Sequence, residues 1–312
     1  MSSRRQVSKW LLGAGLVAGE SFAQTGAHRG DSPKVPSAAA AADAPRVGRK
    51  PRLGLALGGG SARGFAHIGA LKSLEQAGIK PDVIVGTSAG ALVGAFYAAG
   101  FSAWKIEEFA LSTREVDLAD LAPGGKRGLL VGDSLTRFVH EALNGARIED
   151  LRIRFAAVTT DLRTGDLAVL RNGPVADAVR ASCSIPGVFI PRELGGRELV
   201  DGGLVSPLPA RTTRQMGCDV VLAVDVGTRP NRAALTGMYE VLLQSFEIMG
   251  RALSEQEALA ADVVVRPDLS AFATTNFAAR RDFIQAGYEA TQRALPELRR
   301  RLAAPSGRPP GG

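Results

Sequence analysis

The chain has 312 residues, of which 45% are hydrophobic and 22% charged, which is enough for one large α/β domain or two small ones. The formal net charge is +7, but residues 1–50 hold eight Lys/Arg against three Asp/Glu, so little excess positive charge is left for the rest of the chain. We therefore do not expect nucleic acid as a partner, and two cysteines and three histidines argue against a disulfide framework or a histidine-rich metal site.

The first residues have the pattern of an export signal. Residues 1–23 begin with a charged segment that contains Arg4 and Arg5, continue with a short apolar run at 10–19, and end in a small-residue cleavage site at 21–23. The adjacent arginines fit a twin-arginine signal and fit an ordinary secretory signal equally well. Either route predicts an exported protein, periplasmic or secreted.

Three further segments follow the leader. Residues 24–50 are rich in Ala, Pro, Gly and Ser without apolar periodicity, which is typical of a disordered linker. Residues 51–302 alternate between strand-like and helix-like patterns, which predicts an α/β domain with a mostly parallel sheet between helical layers. Residues 303–312 form a Pro/Gly tail that we expect to be disordered.

The elements of this domain are read from the period of the apolar residues. Strands are predicted at 53–57, 83–85, 155–160, 198–200, 219–226 and 262–266. Helices are predicted at 65–76, 91–99, 134–143, 175–184, 207–216, 237–260 and 280–302. Another apolar stripe at helical spacing consists of Phe101, Trp104, Ile106 and Phe109. We interpret this stripe as core, with a lid over a site as the alternative.

A glycine-rich loop, GGGSARG at 58–64, joins the first strand to the first helix. Backbone N–H groups at a helix N-terminus suit an anion. A nucleotide phosphate is disfavoured, because Phe65 stands where a Walker loop needs lysine and Arg63 stands where a dinucleotide fingerprint needs glycine. The remaining anion is an oxyanion formed during acyl transfer, and the alternative is a plain tight turn.

The segment PDVIVGTSAGALVGAFYAAG at 81–100 places a G-x-S-x-G motif, Gly86 to Gly90, between a short buried strand and an Ala-rich helix. In this context the motif predicts a nucleophile elbow, in which Ser88 lies in a turn too sharp for large neighbours. The Ser88 hydroxyl is then held at the positive end of the helix. The alternative is a small-residue turn with an incidental serine.

The base for Ser88 does not follow the chain order of the α/β-hydrolases, because no histidine comes after His140. His28 lies in the linker, His140 lies in a polar helical pattern, and His67 lies early in the first helix, where packing is the better interpretation. A carboxylate is the alternative. Asp201 ends a short strand and precedes two glycines, an arrangement that an Asx-turn would also explain. Beside an elbow without a histidine, the catalytic interpretation of Asp201 is favoured.

Four motifs in this order resemble the patatin-like phospholipase family in its bacterial form. They are LALGGGSARGFAHIGAL at 55–71, GTSAG at 86–90, RASCSIPGVFIP at 180–191 and DGG at 201–203. The resemblance covers residues 51–302 and implies a three-layer α/β/α fold with a Ser–Asp dyad. The roles that it implies are Ser88 as the nucleophile, Asp201 as the base, Gly86 and Gly90 as elbow glycines, and Gly58, Gly59, Gly60, Arg63 and Gly64 as the oxyanion hole.

The activity that the resemblance implies is hydrolysis of fatty-acyl esters of lipids or phospholipids, of the phospholipase A or lysophospholipase type, without a metal or cofactor. We expect a lipid substrate and peripheral contact with a membrane. Because the family includes inactive members, a lipid- or protein-binding module on the same fold is the alternative. A nucleotide-binding protein is disfavoured by the missing lysine of the glycine loop.

Overall fold

The structure is a computed structural model of the chain and describes residues 50–113, 120–122, 124, 127–227, 237–270 and 276–304. The predicted export signal at 1–23, the predicted linker as far as residue 49 and the predicted tail beyond residue 304 lie outside the described residues. Within the described ranges, no helix combines the length and the apolar character that crossing a membrane requires.

The strands and helices are numbered in chain order over the described residues. The strands are β1 (Leu53–Leu57), β2 (Val83–Thr87), β3 (Gly128–Leu130), β4 (Arg154–Asp161), β5 (Leu167–Leu170), β6 (Gly187–Phe189), β7 (Arg192–Leu194), β8 (Arg197–Asp201), β9 (Val220–Val224) and β10 (Val263–Val265). The helices are α1 (Phe65–Gln76), α2 (Ala89–Ala98), α3 (Ala103–Ser112), α4 (Asp133–Ala142), α5 (Val175–Ser182), α6 (Ala210–Gln215), α7 (Met238–Ala258) and α8 (Arg280–Ala303).

One mixed sheet forms the centre of the domain. Its strand order is β10-β9-β1-β2-β4-β8-β7, and β5 pairs with β4. The strands from β10 to β4 pair in parallel, whereas β5, β8 and β7 are joined to the sheet by antiparallel pairing. The described strands β3 and β6 form a separate parallel pair. The predicted, mostly parallel sheet is confirmed, and its antiparallel strands lie together at one side.

Helices cover both faces of this sheet. On one face, Leu53, Leu55 and Leu57 of β1 are buried in a large apolar cluster with residues of α1, α2 and α8. On the other face, Ala56 is buried with Leu208 and with residues of α6. Because burying one leucine side chain contributes about 2 kcal/mol, the three leucines of β1 are a substantial part of the core. The three-layer α/β/α fold is therefore confirmed.

Helix α8 lies directly on α1, the helix that follows the glycine loop. A Cβ atom at Gly69 of α1 would overlap the carbonyl oxygen of Ile284, and a Cβ atom at Gly287 of α8 would overlap the carbonyl oxygen of Ala66. The two backbones can approach this closely because each helix presents a glycine to the other. The C-terminal helix thereby fixes the position of α1 and of the loop that precedes it.

The sequence pattern does not predict β3, β5, β6 and β7. Each has only three or four residues, and most of their side chains are partly or fully exposed, so the apolar signal is weak. The turn between β7 and β8 consists of Gly195 and Gly196, whose φ values of 57° and 75° suit a two-residue hairpin. This Gly-Gly pair is the sequence signal that identifies the hairpin.

Candidate active site

Ser88 lies at the junction of β2 and α2, where the backbone turns sharply. Its φ of 53° and ψ of −122° are unusual for a residue with a side chain, and such strain is concentrated at functional sites. A Cβ atom at Gly86 would overlap the Gly90 carbonyl, and one at Gly90 would overlap the Leu57 carbonyl, so the turn sterically requires both glycines. The turn therefore has the form of a nucleophile elbow at the positive end of a helix.

Ser182, at the end of α5, holds the backbone of this elbow. The N–H of Ser88 donates to the Oγ of Ser182 at 2.9 Å, and the Ser182 hydroxyl donates in turn to the Val158 carbonyl at 2.6 Å. All these groups are buried, and an N–H left unpaired in such a place costs about 1–3 kcal/mol. The sequence analysis assigned no role to Ser182, because its contact joins segments far apart in the chain.

Asp201 lies on the opposite side of β4 from Ser88. It is the last residue of β8 and is paired with Thr159 of β4, while β2 pairs with the other edge of β4 through Thr87 and Val158. Ser88 follows Thr87 directly, so the pairing brings Ser88 and Asp201 to the same level at the carboxyl end of β4. The two predicted catalytic residues thus come together although 113 positions separate their numbers in the chain.

The Asp201 carboxylate has one oxygen engaged and one oxygen available. Its Oδ1 accepts the N–H of Gly203 at 2.7 Å, and its buried Oδ2 accepts no hydrogen bond of standard geometry from the described residues. Burial raises the pKa of Asp201 to about 6, against the opposing effects of the Ser88 hydroxyl and the Gly203 N–H. A carboxylate with this pKa can accept a proton near neutral pH.

The motif RASCSIPGVFIP also holds the Asp201 side of the site. The N–H of Asp201 donates to the Ser184 carbonyl at 2.9 Å. The buried guanidinium of Arg180 donates to the Ser184 hydroxyl and, at 2.7 Å, to the Ile190 carbonyl. Arg180 and Ser184 therefore position the backbone beside Asp201, as Ser182 positions the elbow. The sequence signal for this role is an arginine among the small residues Val179, Ala181 and Ser182 near the end of α5.

Cys183 lies beside Ser88 and Asp201 but is poorly suited to act as a nucleophile. Burial raises the pKa of the Cys183 thiol well above its usual range, and the charge of Asp201 adds to the rise. The thiol therefore stays protonated at neutral pH. Cys218 is buried in the apolar cluster on the α6 face of the sheet, and neither cysteine forms a disulfide.

Two of the predicted oxyanion-hole glycines use their amides elsewhere. The N–H of Gly58 donates to the Val224 carbonyl at 3.1 Å, and the N–H of Gly59 donates to the Pro207 carbonyl at 2.8 Å. Gly64 acts as a spacer, because a Cβ atom there would overlap the first residue of α2. The prediction that the whole loop donates to an oxyanion is corrected in this respect: these glycines fix the shape of the loop.

The amides of Gly60 and Ser61 remain available. Neither donates to another described group, and both residues line the pocket that contains Ser88. Ser61 has a φ of 50°, so a second residue of the site is strained. The N–H of Arg63 donates to the Gly60 carbonyl at 3.0 Å, and the buried Arg63 guanidinium lies 3.9 Å from the Glu247 carboxylate. Among the loop amides, Gly60 and Ser61 are thus best suited to an oxyanion.

The two described histidines do not line this pocket. His67 is fully buried, and its Nε2 lies 2.7 Å from the Gly58 carbonyl, to which it must donate because a carbonyl only accepts. Burial lowers the pKa of His67 to about 4, so its ring is neutral at neutral pH. His140 is exposed on α4. His67 therefore supports the glycine loop by packing, as its place in the helix predicts.

The pocket that contains Ser88 and Asp201 has a volume of about 170 Å³. Its walls come from the glycine loop, from the segment after α5, from the residues that follow β8 and from one face of α7, including Phe246. Within the described part of the chain, no three His, Cys, Asp or Glu side chains lie together as a metal site requires. A strained serine beside a buried aspartate with one unengaged oxygen is an arrangement suited to nucleophilic acyl transfer.

The chain matches the sequence model of the Patatin-like phospholipase family over residues 55–214, about half of its length. This stretch contains the glycine loop, the elbow, α5 and Asp201. The chain belongs to the patatin-like phospholipase family.

Individual relatives agree with this assignment. An uncharacterised NTE family protein of Mycobacterium tuberculosis is 38% identical over 186 residues, which are 58% of this chain and 51% of that protein. Human patatin-like phospholipase domain-containing protein 6 is 36% identical over 184 residues, 57% of this chain and 13% of that protein. The chain thus spans about half the length of the first relative and a small part of the second.

A solved structure has the same fold. VipD from Legionella pneumophila superposes with a TM-score of 0.55 at 14% identity, covering 80% of this chain and 67% of that chain. At this identity the likeness concerns the fold alone, and it agrees with the three-layer arrangement described above.

Proposed function

We propose that this protein is a serine acyl hydrolase that cleaves fatty-acyl esters of lipids through Ser88 and Asp201. Membership of the patatin-like phospholipase family supports a lipid hydrolase in general. The observation that carries the finer proposal is the buried Oδ2 of Asp201, which has no other described partner and belongs to a carboxylate that interacts with the Ser88 hydroxyl.

The reaction then proceeds in two halves. Asp201 Oδ2 accepts the proton of Ser88 as Oγ attacks the ester carbonyl, and the N–H groups of Gly60 and Ser61 donate to the oxyanion. The alcohol leaves with the proton from Asp201, and the acyl group remains on Ser88. Asp201 next deprotonates a water that attacks the acyl-enzyme, and the fatty acid leaves as Ser88 regains its proton.

The alcohol part of the substrate lies in the pocket beside Arg63 and Arg251. Each arginine is near a glutamate: Arg63 lies 3.9 Å from Glu247, and Arg251 lies 3.0 Å from Glu255. The pocket therefore offers limited net positive charge to a phosphate. We propose carboxylic ester hydrolysis of the phospholipase A or lysophospholipase type, with hydrolysis of neutral acylglycerols measured in parallel to test the need for a phosphate.

A fluorophosphonate probe tests the catalytic proposal directly. The parent protein should be labelled at Ser88, whereas Ser88→Ala should not react and Asp201→Asn should react at least about 10³-fold more slowly. Ser73→Ala is the matched control, because the Ser73 hydroxyl is also buried but has no hydrogen-bond partner among the described residues. A folded parent that is not labelled would instead support a binding module, and labelling of Ser88→Ala would refute the nucleophile.

We also propose that the outer face of α7 contacts the lipid surface. Val241, Leu242, Ile248 and Met249 recur at helical spacing and are each about half exposed. Phe246 on the same helix lines the pocket that contains Ser88. The occupant of this apolar stripe is expected to be a lipid bilayer, because the helix places it beside the site where a lipid ester must enter.

Vesicle sedimentation tests this contact. The double variant Ile248→Ser, Met249→Ser should lose most binding to phosphatidylcholine vesicles while hydrolysing a soluble short-chain ester normally. Leu162→Ser is the control, because Leu162 is also exposed but lies outside the pocket and α7. Unchanged vesicle binding by the double variant would contradict the proposal, as would a concentration-dependent dimer that these substitutions dissociate.

A further inference from the structure

A second cavity lies on the helical side of the elbow, outside the pocket that contains Ser88. It has a volume of about 150 Å³ and an almost wholly apolar lining. Five phenylalanines supply much of its wall, and they come from five separate segments of the chain: Phe65, Phe96, Phe109, Phe138 and Phe277. Phe96 stacks on Phe138 with ring centroids 5.9 Å apart and meets Phe109 edge to face at 6.1 Å.

This apolar cavity begins where the catalytic pocket ends. Ala89, the residue that follows Ser88, lines the apolar cavity. Ser61, whose N–H is available to an oxyanion, lines both the apolar cavity and the catalytic pocket. The two cavities thus meet at Ser61, and a chain attached to Ser88 would have to pass Ser61 to reach the apolar cavity.

The one charged side chain in the described lining does not make the cavity polar. Arg280 donates through Nη1 to the carbonyls of Ala110 and Thr113, at 2.7 Å and 2.6 Å, and its guanidinium lies over the ring of Phe65. Its Nε also donates to the Phe277 carbonyl at 2.9 Å, so these donors are engaged by backbone carbonyls at the cavity wall. A cavity with such walls favours an apolar occupant over water.

We propose that this cavity binds the acyl chain of the ester while the alcohol occupies the catalytic pocket, an inference that rests on the proposed function. A cavity of this volume holds about six carbons, as a benzene-sized apolar cavity does, and about two more lie beside Ser61, so the preferred chain has about eight carbons. The substrate class is then a medium-chain acyl ester.

The test is a chain-length profile of kcat/KM on p-nitrophenyl esters from acetate to palmitate. Ala110→Phe on α3 fills the cavity and should lower kcat/KM for octanoate about 60-fold, because each of about three methylenes that is no longer buried lowers kcat/KM about fourfold. The value for acetate should change little. Ser112→Phe adds the same ring to an exposed position of the same helix and should keep the parent profile.

An enlarged cavity gives the opposite change. Phe138→Ala removes one wall and should move the preferred ester to longer chains. A parent profile without a medium-chain preference would overturn the inference, and so would an Ala110→Phe profile that keeps the parent optimum.

A crystal structure of the parent protein labelled at Ser88 with an octyl fluorophosphonate does not depend on how the variants fold. The octyl chain should lie among Phe96, Phe109 and Phe138. An octyl chain directed toward Phe246 of α7 would overturn the inference. Because this outcome still requires a labelled Ser88, it is distinct from failure of the proposed function, in which no label is attached.

Discussion

Acidification should switch off acylation at a pH unusual for an aspartate base. Burial raises the pKa of Asp201 to about 6, and Asp201 must be ionised to accept the Ser88 proton. We therefore expect kcat/KM to be constant above this pH and to fall about tenfold per pH unit below it, reaching about one tenth of its maximum at pH 5. An ordinary exposed aspartate would place this limb near pH 4.

The assay is kcat/KM for a p-nitrophenyl ester between about pH 4 and pH 9 at constant ionic strength, with circular dichroism at each pH to establish that the protein stays folded. A limb near pH 6 resembles that of a histidine, so His140→Gln is the control, since His140 is an exposed histidine. The reasoning is refuted if the limb lies near pH 4, or if it disappears in His140→Gln.

The same pKa has a consequence for stability. Folded Asp201 binds its proton more tightly than the unfolded chain does, so the cost of its burial is present above pH 6 and disappears as the pH falls toward 3.8. Asp201→Asn should therefore raise the free energy of unfolding by up to about 3 kcal/mol at pH 8, and by less at pH 5, while abolishing activity. Denaturant unfolding at the two pH values measures the difference, and an equal effect at both would contradict it.

Three further predictions concern other parts of the chain. Ser182→Ala should lower stability by about 1–3 kcal/mol and lower kcat, because it leaves the elbow N–H unpaired; Ser73→Ala, which removes a hydroxyl without a described partner, should do neither. As the pH falls from 6.5 toward 4, His67 becomes protonated in the unfolded chain but stays neutral in the folded protein, and the free energy of unfolding of the parent therefore falls. His67→Gln should make this fall smaller. An unchanged pH dependence of the free energy of unfolding would contradict this. If residues 1–23 are an export signal, N-terminal sequencing should find the mature chain starting near residue 24, and replacing Arg4 and Arg5 with Lys should block export only by the twin-arginine route.

The elements around Ser88 could be predicted because their signals are local. A strand, a G-x-S-x-G turn and an apolar helix follow one another within twenty residues. Gly86 and Gly90, which the sharp turn requires, lie in the same segment. Asp201 could be predicted as a candidate for a similar reason, since an aspartate before two glycines at a strand end is a local pattern. The pairing of both strands with β4, which brings the two residues together, is not local and follows from the register of the sheet.

The amides of the glycine loop could not be assigned from the sequence alone. The sequence identifies five loop residues but not which amides are available, because the partners of Gly58 and Gly59 are carbonyls of Val224 and Pro207, more than a hundred residues later. The apolar cavity could not be predicted from the sequence either, because it depends on contacts between distant segments. Phe109 belongs to a stripe that is interpreted as core, and this is only partly right, because Ile106 is buried whereas Trp104 is about half exposed. The cavity beside Phe109 exists only because aromatic side chains from five segments meet without filling the space between them.

The position of β9 sets the order in which the site can be completed. β1 lies at the centre of the sheet between β2 and β9, and its second neighbour is synthesised more than 160 residues after it. Until β9 is in place, the Gly58 amide lacks the Val224 carbonyl that fixes the glycine loop. A chain still emerging from the ribosome therefore holds Ser88 without a formed oxyanion loop, and closing so long a loop is among the slower steps of folding. The proposed activity would thus begin only with the fully assembled sheet. If the predicted export signal is used, a chain exported unfolded would gain its site after crossing the membrane, whereas a chain exported folded would gain it before.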